Sequence, residues 1–152
     1  MLFRSTVELA GETPGELAER LVHHGFALRF PLGARAETAR LLPMVHGPSG
    51  VPLDLVIAAP GLDEEFLARA ELVDLGDVEV PVISAEDLIA LKVLAGRRKD
   101  LEDVRGVLLE KGDRLDLSRT RDVLRAFEAV TGEPKLLKRL ARLVRASGRK
   151  TV

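Results

Sequence analysis

The sequence predicts an α+β fold, and three observations carry that prediction. Up to about residue 83 the apolar residues fall in short runs at strand spacing, broken by a few helical stretches. From Ser84 onward the apolar period changes to 3.6, the repeat of an α-helix. The chain has 152 residues and is 46% hydrophobic, enough to bury a core, and no linker rich in Pro, Gly or Ser divides it. The expected organisation is a sheet region over 1–83 and a helical region over 84–152 packed on it in one unit.

The elements follow in order. Val7 to Leu9 is a short apolar piece with strand character. Thr13 and Pro14 open a helix whose Leu17, Leu21 and Val22 recur at helical spacing until Gly25. Phe26 to Phe30 alternates as a short strand. Arg40 to Val45 and Val51 to Ala58 are two apolar runs around the turn-forming residues 46–50, which predicts a hairpin. Gly61 to Arg69 reads as a short amphipathic helix, and Glu71 to Leu75 with Val78 to Ile83 as two strands around Gly76 and Asp77. Helices are then expected over 85–96, 100–111, 118–131 and 134–147, each bounded by Ser, Asp or Gly signals.

Composition narrows the functions. There are 23 basic and 24 acidic residues, so the molecule as a whole has no field to drive binding to nucleic acid or an anionic membrane. Any charge-driven site must be local. No cysteine is present, which excludes disulfides, thiol catalysis and cysteine-ligated metals. The N-terminus does not resemble a signal peptide and no uncharged run is long enough to span a membrane, so a soluble, cytoplasmic protein is expected. Five Phe with no Trp or Tyr leave few platforms for stacking on bases. Asn and Gln are absent, which fits a GC-rich genome or a thermophile and says nothing of activity.

Four places stand out chemically. Asp54 lies in an apolar strand, on the face opposite Val51, Leu53, Leu55 and Ile57. Its carboxylate is either an edge-strand group reaching solvent or a nearby Arg, or a metal ligand or general base. Lys92 sits in an apolar helix with no acid three or four positions away, so its charge is satisfied elsewhere. It either snorkels to water or projects into a cleft to hold a phosphate or carboxylate. Asp100 and Asp103 share a helix face; they serve as N-cap and first-turn acid, or they orient Lys92 or a bound group across the break at Gly96. The last helix carries Lys135, Lys138, Arg139, Arg142 and Arg145 on one side and leucines on the other, with Arg149 and Lys150 beyond and no acid after Glu133. That face is either simply solvated or a surface for RNA phosphates. The three histidines do not combine into a metal site, because His23 and His24 diverge on a helix and only His46 remains.

The run from Val82 to Val104 resembles the nucleotidyltransferase superfamily, and within it the abortive-infection toxins called AbiEii-like and their uncharacterised bacterial relatives. The family's lysine with an arginine five residues on matches Lys92 and Arg97. Its following basic-Asp-x-x-Asp motif matches Lys99, Asp100 and Asp103. The strand Gly50 to Ile57 is similar to the one that carries a third acidic residue, here Asp54. Arg4 to Ala10 is similar to a divergent Arg-x-Thr-x-Asp-x-Asp, with Glu8 at the first Asp and Ala10 at the second; the usual Gly-Ser turn and Asp-x-Asp pair are missing. The resemblance implies a mixed sheet of the nucleotidyltransferase fold, N-terminally shortened, with a helical C-terminal part. It further implies Mg²⁺ held by Glu8 and Asp54, a nucleoside triphosphate contacted by Lys92 and Arg97, and Asp100 and Asp103 positioning Lys92 or the acceptor. The implied reaction moves a nucleotidyl group to a hydroxyl on tRNA, other RNA or another acceptor, toxin-like, with an antitoxin protein as a partner. The alternative is a noncatalytic binding module of the same fold, or a truncated remnant.

Overall fold

The computed structural model describes residues 3–132 and 134–148. By its internal contacts the chain divides into two units, one ending at Ala68 and the other beginning at Arg69. Each is described by itself.

The first unit contains β1 (Phe3–Val7), α1 (Pro14–Val22), β2 (Phe26–Leu28), β3 (Leu41–His46), β4 (Val51–Ile57) and α2 (Leu62–Ala68). Its four strands form one mixed sheet in the order β1-β4-β3-β2, with β1 parallel to β4 and the other pairs antiparallel. The hairpin turns at residues 47–50, as their turn chemistry predicts. Leu42 lies opposite Leu55 and Met44 opposite Leu53, so alternation sends these residues to one face. There they form a core with Leu17 and Ala18 of α1. Helix α1 starts where the sequence says it should: Thr13 and Glu16 make a reciprocal capping box, with Pro14 as the first helical residue. The first strand begins earlier than the apolar piece Val7 to Leu9 implies. Its polar Arg4, Ser5 and Thr6 hide it from a hydrophobicity pattern, and pairing with Asp54, Leu55 and Val56 is what makes it a strand.

The second unit holds a two-stranded hairpin, β5 (Glu71–Asp74) and β6 (Glu79–Val82), followed by α3 (Ala85–Ala95), α4 (Arg98–Lys111), α5 (Leu117–Thr131) and α6 (Leu136–Ala146). Helix α3 is apolar on nearly all sides because it is central, packing against α4, α5 and α6. Ile89, Ala90 and Val93 meet Val104, Leu108, Leu124, Leu140 and Leu143 in the core. The start of α3 is pinned by Asp87, whose fully buried carboxylate accepts from Arg69 at 3.1 Å and from Arg119 at 3.1 Å. Burial pushes the Asp87 carboxyl above its ordinary value, while the charge of Arg69 pulls it down. The division at Arg69 places the hairpin with the helices, ahead of the boundary at residue 83 drawn from periodicity. Among the described residues no helix is long and apolar enough to cross a membrane.

Candidate functional site

A cluster of charged side chains lies at the α3–α4 turn. Helix α3 ends on Gly96, whose left-handed φ of 64° lets the chain reverse, and α4 begins two residues later. The reversal sets the first turn of α4 beside the last turn of α3, so Lys92 meets acids that no intrahelical spacing supplies. Its ammonium pairs with Asp103, and Asp100 Oδ1 lies 3.7 Å from Nζ. Asp100 also accepts two hydrogen bonds from Arg97, from Nε at 2.6 Å and Nη2 at 3.2 Å. One buried carboxylate thus joins two cations five positions apart in sequence.

The electrostatics follow from that sharing. Hydrogen bonds from Arg97 hold the Asp100 carboxyl below its ordinary value against the effect of burial, and the charges of Arg97 and Lys92 add to this. Asp100 in return raises the pKa of Arg97. Both partners stay ionised. The Lys92 side chain is 28% exposed and that of Arg97 72%, so each keeps donors for an external anion. The space enclosed beside Lys92 and Asp103 is about 10 Å³, enough for a water and far too small for a nucleoside. A larger ligand therefore approaches from the solvent side.

Asp100 is not the N-cap. Arg97 occupies that position and Asp100 stands in the first turn, because α4 starts at Arg98 and not at residue 100. A further contact supports the turn from outside: Arg139 of α6 donates from Nη1 to the Val93 carbonyl at 2.7 Å. It satisfies one of the carbonyls left open at the end of α3. Its guanidinium occupies the space where a Cβ on residue 96 would go. Sequence reasoning placed Arg139 on the basic face only. The signal for this role is indirect: an arginine on the edge of the apolar face of α6, two positions from Leu137 and one before Leu140.

Asp54 is resolved differently. It is not on an edge strand, since β4 lies between β1 and β3. Its side chain is 7% exposed, and its two oxygens are held by Arg4, at 3.2 Å, and by Arg29. The register explains both: Arg4 is paired opposite Asp54 across the parallel ladder, and Arg29 donates its backbone N–H to Pro43, the antiparallel partner of Asp54. Glu8 is exposed and follows the end of β1, four residues beyond Arg4. At about 3.3 Å per residue that is roughly 13 Å along the strand from the level of Asp54. Two-metal phosphoryl transfer needs carboxylates converging on ions about 4 Å apart. Glu8 and Asp54 do not fit such a centre, and among the described residues no three His, Asp or Glu side chains gather in a way that could hold a metal.

Residues 49–142 match the protein family described as nucleotidyl transferase of unknown function (DUF2204). The matched stretch spans more than half of the chain and contains Asp54, Lys92, Arg97, Asp100 and Asp103, but not Glu8. No curated protein matches the chain. The chain belongs to this nucleotidyl transferase family.

Proposed function

We propose, on the premise of that membership, that the chain binds a nucleoside triphosphate at the α3–α4 turn, with Lys92 and Arg97 contacting its phosphates. Asp100 and Asp103 are positioning residues in this reading: they fix the ammonium and guanidinium in place before the ligand arrives, so less ordering is needed on binding. The observation that carries the reading is the sharing of Asp100 between Lys92 and Arg97. A lysine has three donors and an arginine five, and only some of them are committed to Asp100 and Asp103.

The reaction this binding serves is transfer of a nucleotidyl group to a hydroxyl, on RNA or another acceptor. The acceptor oxygen forms a bond to the α-phosphorus and gives up its proton to water, and the bond to the bridging oxygen breaks with loss of pyrophosphate. A second reading, a noncatalytic nucleotide-binding module, is favoured by one observation: Asp54 has both oxygens engaged by arginines. A neutralising partner protein and a toxin-like effect belong to the first reading alone.

The test is binding of a fluorescent, non-hydrolysable triphosphate analogue to the full chain. Lys92→Ala should weaken binding at least tenfold, about the worth of one charge-assisted hydrogen bond, with unchanged circular dichroism. Equal binding by Lys92→Ala refutes the site. Incubation with Mg²⁺, labelled nucleoside triphosphates and total tRNA then separates the two readings: label appears on RNA only if the chain transfers.

A further inference from the structure

Helices α4 and α6 border a groove of about 390 Å³. Leu101 and Arg105 line one wall; Lys135, Lys138, Arg139, Arg142 and Leu143 line the other. Five of the seven residues are cations and none is an acid. The chain carries a net charge of −1, yet seven basic and no acidic residues follow Glu133, so the first 133 residues carry −8. Positive charge is therefore concentrated on this side of the sequence, and the groove gathers it from two helices.

The five cations are not equivalent. Arg139 is half-buried and commits Nη1 to the Val93 carbonyl. Lys135 takes part in an interaction within the fold. Arg105, Lys138 and Arg142 are exposed, and their side chains make no ion pair or hydrogen bond among the described residues. Lys138 and Arg142 are one helical turn apart, about 6 Å along α6, with Arg105 across the groove on α4. Three like charges on facing walls repel one another, and a ligand that spans the walls with repeated negative charge relieves that repulsion.

The lining also says which kind of polyanion fits. It contains no aromatic residue, and the whole chain has no Trp or Tyr, so there is no aromatic platform on which unpaired bases stack. A duplex, with its bases turned inward, offers phosphates alone. We propose that the α4–α6 groove binds the phosphodiester backbone of a double-helical nucleic acid through Arg105, Lys138 and Arg142, without sequence preference. Leu101 and Arg105 lie roughly 100° and 140° around α4 from Asp100, so the groove and the Lys92 cluster occupy different faces of that helix. The proposal names a partner for an RNA acceptor, and it stands equally for a chain that transfers nothing; its test reads binding alone.

The experiment is fluorescence anisotropy of the full chain with a labelled RNA hairpin stem, a DNA duplex of the same sequence, a single strand, and polyglutamate as competitor. Three phosphate contacts predict a slope of log K against log salt of about −2.7, a loss of about 40-fold between 50 and 200 mM. Lys138→Ala/Arg142→Ala should reduce that slope by about 2 and leave triphosphate binding unchanged. Binding of both duplexes, or of one helix form over the other, supports the proposal and identifies the source of the phosphates. It is overturned by absence of duplex binding at 50 mM salt, by tighter binding of the single strand, by equal competition from polyglutamate, or by a double variant that binds as well as the parent.

Discussion

Gly96→Ala tests the geometry on which the Lys92 cluster depends. Residue 96 has φ 64°, and alanine in the left-handed region costs roughly 1–2 kcal/mol over glycine. The added Cβ would also collide with the Arg139 guanidinium, which must swing away and release the Val93 carbonyl. A hydrogen bond to a charged group contributes about 1.5–3 kcal/mol when buried; with Arg139 only half-buried, about 1–2 kcal/mol is the expected loss. The single variant should therefore lose about 2–4 kcal/mol. In an Arg139→Ala background the collision is gone, and the same substitution should cost only the backbone part, about 1–2 kcal/mol. Urea unfolding of the four members of this cycle, followed by far-ultraviolet circular dichroism, measures the coupling. Equal costs in both backgrounds would show that the guanidinium does not lie over the turn, and the account of how α3 and α4 present Lys92 to Asp100 and Asp103 would fail with it.

Asp87→Ala should destabilise the chain by about 3 kcal/mol, the lower end for breaking a buried ion pair, because Arg69 and Arg119 are left facing each other while Arg119 keeps 42% of its side-chain exposure. Asp122→Ala, which breaks only the exposed pair with Arg125, should stay within about 0.5 kcal/mol; urea midpoints compare the two. Asp100 has a folded pKa below its unfolded one, so the stability it contributes is complete above about pH 4 and is lost as pH falls through the depressed value. Urea midpoints taken down the acid limb should fall less steeply for Asp100→Asn than for the parent. Asp54→Asn should lower stability by about 1–3 kcal/mol through the loss of two charge-assisted contacts, and Mg²⁺ should leave the melting temperatures of parent and variant unchanged. A rise with Mg²⁺ in the parent alone would restore Asp54 as a metal ligand.

Most of the fold was legible because its signals are local. Thr13, Pro14 and Glu16 define the start of α1, and the turn at 47–50 defines the β3–β4 hairpin. The apolar pattern around Lys92 was visible in the sequence, and its reason is structural: a helix without a polar side needs neighbours on several sides, and α3 packs against α4, α5 and α6. The first strand was the exception, since Arg4, Ser5 and Thr6 become a strand only through pairing with β4. For the candidate site, the sequence showed that Lys92 had no acid three or four positions away on its own helix and that Asp100 and Asp103 shared a face. It could not show the role of Arg139, which depends on how α6 meets the end of α3 more than forty residues away in the chain.

Asp54 shows where such legibility stops. An ionised carboxylate in an apolar strand requires a cation, and that much follows from desolvation alone. A divalent metal and an arginine meet the requirement equally well, so strand pattern does not choose between them. The choice is made by register: Arg4 stands directly across the parallel ladder and Arg29 just past the strand that ends beside Pro43, so two guanidinium groups reach the carboxylate from both sides. Pairing of Glu8 opposite Asp54, four residues out of the present register, would place two carboxylates side by side, and their mutual repulsion would then call for a metal ion in place of the arginines. The same residue types thus produce a metal ligand or a locked ion-pair centre according to a shift along one strand, and in this chain the shift favours the arginines.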